Sequence, residues 1–264
     1  THPTDFPTAC PDWAEEEAIN RAIKMGAATD CPTYVVHLST QLGLERIKQA
    51  QAQGQKIWTE TCPQYLLLNT DHTDRLGGIL RLNPPIREPR HNQPLWDALM
   101  DGTIDMIATD HAPHARHDKE HAFVDAAFGM LGLETALPVV AQVMVESGQM
   151  SWTDVARVMS TTPAAIAGLD RQGRGLEVGS PANIVLVDPS ADLTVDRDAS
   201  VSLSRNNPWH GRTFGAAVRA TFLRGRATVL DGALVVLGGV RTGGGTLASV
   251  ERYDPDTNAW TAFA

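Results

Sequence analysis

The first 110 residues switch repeatedly between helical and strand-type patterning. Trp13 to Met25 reads as a helix, with Asp12 as its N-cap and acids in its first turn. Thr33-Tyr34-Val35-Val36-His37-Leu38 is a short apolar run of strand type. Leu42 to Gln53 is helical again and stops at Gly54. Lys56 to Glu60 predicts a second strand, and Ile104 to Thr109 a third. Between them, a helix over His91 to Met100 follows the rigid turn Asn83-Pro84-Pro85-Ile86-Arg87. This alternation predicts βαβ units and a parallel sheet.

After Asp110 the rhythm changes. Leu131 to Glu146, Trp152 to Ser160 and Pro163 to Ala167 read as helices. From Gly173 onward, strands at Ala182 to Asp188 and Val218 to Leu223 lie among Gly and Pro turns, which predicts a small β unit. A (β/α)8 barrel spends roughly 31 residues on each unit, so His37 and Asp110 are about two units apart. If Ile104–Thr109 is the last barrel strand, the strand before His37 is the sixth. The predicted fold class is therefore α/β: a partial (β/α)8 TIM barrel, about the last three strands, plus a small C-terminal β unit. The N-terminal Thr1-His2-Pro3 has no initiator Met and no signal-peptide pattern, which suggests a start within a domain.

Composition narrows the function. The 264 residues carry 22 basic and 31 acidic side chains, a net charge of −9, with no long basic stripe, so nucleic-acid binding is not expected. No apolar run approaches the roughly 18 residues of a membrane span, so no membrane partner is expected. Cys10, Cys31 and Cys62 are too few and too scattered for a disulfide framework or a zinc ribbon. Reduced thiols and a cytoplasmic location are the simpler expectation.

Two residues stand where a parallel barrel places its chemistry, at the C-terminal ends of strands. His37 follows the first predicted strand, where a neutral imidazole is a good ligand for a divalent metal. A hydrogen-bonded core histidine is the ordinary alternative. Asp110-His111-Ala112-Pro113-His114 follows the third strand. A carboxylate there can ligate a metal and take a proton from its water. His114 can reach a substrate from the loop, and Asn83 can contact an amide. A capped polar loop and a plain structural turn are the corresponding ordinary readings.

The motifs Tyr34-Val35-Val36-His37-Leu38-Ser39, Glu60-Thr61-Cys62-Pro63-Gln64-Tyr65-Leu66, Asn83 to Arg87, Ala108 to His114, Phe128 to Thr135 and Gly175 to Ala182 occur in one order and spacing. That order resembles the cyclic amidohydrolases over residues 1 to about 234. Thr109 to His114 and Phe128 to Thr135 look like dihydroorotase. Glu60 to Tyr65 looks more like hydantoinase (dihydropyrimidinase), since dihydroorotases usually carry His where Gln64 stands; allantoinase is also similar. The resemblance implies a metal-dependent hydrolase that opens dihydroorotate reversibly, in pyrimidine biosynthesis. It implies zinc, one or two ions in a complete enzyme, with His37 and Asp110 as metal ligands and Asp110 as general base. Asn83, His114, Phe128 and Gly129 would bind substrate. A metal-bound hydroxide would attack the ring carbonyl while Asp110 carries the proton to the leaving nitrogen.

Several donors that the resemblance implies are absent: the His-X-His pair of the first strand, the bridging carboxylated Lys of the fourth, the His of the fifth and the carboxylate-binding Arg. A catalytic zinc normally has three protein ligands, so the chain alone is expected to be inactive. The partner expected is then a missing N-terminal half or another copy of the chain; a non-catalytic partner role is the alternative. The expected division is residues 1–170 for the barrel portion, 171–234 for a β-sandwich-type segment, and 235–264 for a single kelch-like motif. The last rests on Val236-Leu237-Gly238-Gly239, Tyr253 and Trp260.

Overall fold

The computed structural model describes residues 3–230, together with the backbone of residues 233–240, 246–254 and 259–262. Its centre is a three-stranded parallel sheet: β1 (Thr33–Val35), β2 (Ile57–Thr61) and β3 (Met106–Ile107), in that spatial order. Val35 pairs with Thr59 and Thr61 with Ile107, so the three strands end at one edge.

One face of this sheet is covered. Along β2, Ile57, Thr59 and Thr61 are buried and alternate with half-buried Trp58 and Glu60. The helices Asp12–Thr29, Gln41–Ala52 and Asn92–Met100 contribute Ile19, Leu44, Ile47, Ala50, Leu95, Ala98 and Leu99 to one core with Val35, Ile57 and Ile107. Full burial of such an aliphatic side chain contributes about 1.5–3 kcal/mol. The opposite face carries Tyr34 and Val36, 41% and 45% exposed. All-parallel sheets normally have both faces covered, so this open face is a departure from a finished layered sheet.

The predicted helices are present with shifted ends. Asp12 is the first helical residue and not the N-cap; Pro11 holds that place, and Asp12 Oδ1 accepts from the Trp13 amide at 2.9 Å. The helix ends where Asp30 turns left-handed, at φ 51°. Thr40 caps the next helix by accepting from the Gly43 amide at 3.2 Å. The segment predicted helical from Leu131 begins only at Ala136: Gly132 packs against Thr109, and residues 133–135 form a turn before the helix. It continues as a π-helical turn, Gln142–Glu146.

The C-terminal strands β4 (Ile184–Thr194), β5 (Thr213–Leu223), β6 (Arg226–Leu230), β7 (Ala233–Val240), β8 (Thr246–Asp254) and β9 (Ala259–Ala262) form one antiparallel sheet in sequence order. The segment expected as a sandwich is thus a single sheet among the described residues. β6 pairs with β7 through Val229 and Leu234, and β7 itself runs on to Val240, so one strand spans the boundary drawn at 234. The expected packing of Tyr253 and Trp260 lies outside the described residues. Trp209 and Phe214, both buried and stacked edge to face at 5.8 Å, bring this sheet into the common core.

Candidate active site

His37 lies two residues beyond β1 and Asp110 three beyond β3, on the same edge of the sheet with β2 between them. Both are left-handed, at φ 40° and 49°, among only five non-glycine residues with positive φ in the described chain. Such conformations cost of order 1–3 kcal/mol each and persist where surrounding bonds fix them. For His37 those bonds come from β2. The Leu38 amide donates to the Glu60 carbonyl at 2.8 Å, and Thr61 Oγ1 donates back to the Leu38 carbonyl at 2.8 Å. The His37 amide adds a long 3.4 Å contact to Glu60 Oε1. For Asp110, Ala108 donates to the Thr61 carbonyl at 3.0 Å, and buried Gln64 reaches the Thr109 carbonyl at 3.4 Å.

A second clamp sits on Glu15, a residue with no motif around it. Its carboxylate accepts from the Ser39 amide at 2.9 Å, the Thr40 amide at 3.1 Å, both hydroxyls, and Arg87 Nη2 at 3.1 Å. It therefore ties the helix Asp12–Thr29, the loop after His37 and the Asn83–Arg87 turn into one unit. Asn83 itself is exposed, on a turn anchored where Tyr65 donates to the Pro84 carbonyl at 2.8 Å.

His114, Phe128 and Gly129 are brought into direct contact. His114 Nε2 lies 2.6 Å from the Phe128 carbonyl, which requires the proton on Nε2. A Cβ on Gly129 would stand 2.4 Å from Ala112 Cβ, and the residue has φ 136°, so only glycine fits there. The Arg81 guanidinium covers the exposed Phe128 ring at 4.4 Å. Asn206, which sequence reading passed over, donates from Nδ2 to both the Ala112 and Gly129 carbonyls at 3.0 Å. His111 is a framework residue: its Nδ1 accepts from the Gly132 and Leu133 amides at 3.1 and 3.3 Å.

The strip between His37 and Asp110 is also polar. Glu60 and Tyr34, likewise not anticipated, are hydrogen-bonded to each other on the open sheet face. Partial burial, the Glu60 bond and the Glu60 charge hold the Tyr34 phenol well above its ordinary pKa. Burial, then the charges of Glu60 and Asp110, push up the Cys62 thiol at the end of β2. The edge is thus a carboxylate-rich strip that favours a cation or a proton donor.

A resident metal is a separate matter. Among the described residues no group of three or more His, Cys, Asp and Glu side chains is arranged to hold an ion. His37 and Asp110 are two donors separated by a strand, and they do not fit a complete site on their own. The arrangement does offer an exposed carboxylate and a hydrogen-bonding loop beside it.

An amidohydrolase-family profile matches residues 16–228, and a kelch-motif profile matches residues 223–264 weakly. A dihydroorotase from Mycobacterium tuberculosis is 46% identical over 222 residues, covering 84% of this chain and 52% of that protein. The L-hydantoinase (dihydropyrimidinase) structure from Arthrobacter aurescens superposes with a TM-score of 0.81 at 36% identity, covering 86% of this chain and 51% of the other. The D-hydantoinase (dihydropyrimidinase) structure from Thermus sp. gives 0.83 at 28% identity, with 89% and 53% covered. The chain spans about half the length of the curated relatives it matches.

Proposed function

Because the chain belongs to the amidohydrolase family, we propose that it forms the proton-transfer and substrate-holding part of a dihydroorotase-like cyclic-amide hydrolase. The observation that carries this reading is the common edge: His37 and Asp110, both left-handed, at the ends of parallel strands beside the His114–Phe128–Gly129 loop. The resemblance to dihydroorotases at 46% identity favours dihydroorotate as the ring.

Opening the ring adds a water oxygen to a carbonyl carbon and returns a proton to the amide nitrogen. Asp110, exposed at the strand end, is the group placed to carry that proton. The ring is held by Asn83, by His114 and by the shape of the loop at Phe128 and Gly129, whose carbonyls already accept from His114 and Asn206. His37 and Asp110 are the chain's contribution to the metal ligands. Two donors do not complete a site, so no step is assigned to an ion here, and the chain alone with added zinc is expected to turn over no dihydroorotate. The barrel segment 1–170, the β segment 171–234 and the kelch-like segment 235–264 are the proposed division of labour; only the first carries the chemistry. A purely non-catalytic partner role has no observation of its own in its favour.

The test is complementation. The chain is co-purified with the N-terminal half of a dihydroorotase relative, zinc is added, and dihydroorotate hydrolysis is followed. Turnover should appear and fall by about 10²–10⁴-fold in Asp110→Asn, the range of a general base. Turnover that survives Asp110→Asn refutes the role, and turnover by the unassisted chain refutes the incompleteness. One observation favours hydantoin as a second reading: buried Gln64 bonded to the Thr109 carbonyl, where dihydroorotases usually carry His. The ratio of rates on hydantoin and dihydroorotate in the same preparation decides between them.

A further inference from the structure

Beside the loop at His114, and lined in part by His114 and Asn206 themselves, lies a small cavity of about 50 Å³. Arg116, Lys119, Arg197 and Arg205 line it, with Glu120 as the one carboxylate. This is a concentration of positive charge in a chain whose net charge is −9.

The carboxylates nearby are already engaged. Glu120 pairs with Arg116 at 2.8 Å, while Asp198 is shared by Arg205 at 3.4 Å and Arg116 at 3.8 Å. Among the described residues no carboxylate lies within ion-pair distance of Lys119 or Arg197. Lys119 is buried and spends two N–H groups on the Arg81 and Ala127 carbonyls, at 3.3 and 2.7 Å. An ammonium has three, so one remains. Arg197 Nε is buried with no hydrogen-bond partner. Buried charges and donors left unmatched in this way are costly unless something completes them.

Size selects the ligand. A water needs roughly 10–15 Å³ of such space, so the cavity admits a group of about four heavy atoms. We propose that this cavity binds a small oxyanion, a carboxylate or phosphate group, held by Lys119 and Arg197 with Arg116 and Arg205 at its rim. Its walls come from the helix Arg116–Lys119 and from the segment 197–206, so a bound anion ties the substrate-side loop to the C-terminal segment. The lowered pKa of Lys119, about 8 through burial and the nearby Arg81 charge, is what such an anion would reverse. None of this depends on the role given to Asp110.

The test is thermal unfolding of the whole chain in inorganic phosphate, in acetate and in sodium chloride at matched ionic strength. Phosphate, acetate or both should raise the midpoint, by roughly 3–6 °C at about ten times the dissociation constant and then with the logarithm of concentration. Which of the two acts identifies the ligand group. Arg197→Gln and Lys119→Met should each abolish the rise, and exposed Arg219→Gln should keep it. If Lys119→Met does not fold, Arg197→Gln decides alone. A rise no larger than that in chloride, or one that persists in Arg197→Gln, overturns the proposal.

Discussion

Removing the Glu15 carboxylate is the sharpest perturbation of the site's framework. Glu15→Ala strands three groups at once: the buried amides of Ser39 and Thr40, and the Arg87 guanidinium, whose side chain is only 5% exposed. Each orphaned buried donor costs about 1–3 kcal/mol, and breaking a buried ion pair by removing one partner costs about 3–5 kcal/mol. These terms overlap, because Arg87 keeps its bonds to Ser39 Oγ and the Cys10 carbonyl. The expected loss is therefore about 3–5 kcal/mol, read as a fall in the urea midpoint at unchanged slope. Glu15→Gln should cost about half as much. Its carbonyl oxygen still accepts from the two amides, while its NH2 is set against Arg87 and its charge is gone. A double-mutant cycle with Arg87→Met should return a coupling above about 1 kcal/mol. A Glu15→Ala protein within about 0.5 kcal/mol of wild type would refute the reasoning, as would equal losses for Ala and Gln.

Three further outcomes follow from the same geometry. Gly129→Ala meets Ala112 Cβ at 2.4 Å with φ at 136°, and should destabilise by more than about 1 kcal/mol; an unchanged thermal midpoint would contradict it. Asn206→Ala deletes both bonds that hold the Ala112 and Gly129 carbonyls. It should cost about 1–3 kcal/mol and speed exchange of the Ala112 and Leu131 amides, which a proton-exchange experiment reads directly. Lys119 has a folded pKa of about 8 against an ordinary 10.5, so between those values the unfolded chain binds more protons. Its burial cost is fully present below pH 8 and is relieved as pH rises toward 10.5. Wild type should gain stability relative to Lys119→Met over that window, and a flat difference between their urea midpoints would count against the shift.

What could be read from the sequence follows from the range of the interactions involved. The strand ends were legible because a short apolar run followed by His37, or by Asp110, places those residues at a barrel edge by local pattern and known unit length. Even the need for chemistry at Phe128 and Gly129 came only through resemblance; the reason Gly129 must be glycine is its contact with Ala112, seventeen positions away and invisible to any window. Boundaries slipped where a distant partner decided them, as at Gly132, which packs on Thr109.

The residues that were missed share one physical role, and it explains why they were missed. His37 and Asp110 stand in strained left-handed backbone, and something else must supply the free energy that keeps them there. For His37 the supply comes from Glu60 and Thr61 on the next strand and, through Ser39 and Thr40, from Glu15, 24 to 25 positions before them. For the loop after Asp110 it comes from Asn206, 94 positions beyond Ala112. Glu15 and Asn206 carry no motif, because any acceptor or donor at the right point in space would serve; Glu60 and Thr61 do lie in a motif, but nothing in it announces their bonds to the loop at His37. The reacting residue has a motif because its place on the strand is fixed. The division between what the sequence discloses and what it hides is therefore the division between groups that do chemistry and groups that hold them. It predicts that further positioning residues of this site will be found at long sequence separation, on the helices and the C-terminal segment, rather than beside the motifs.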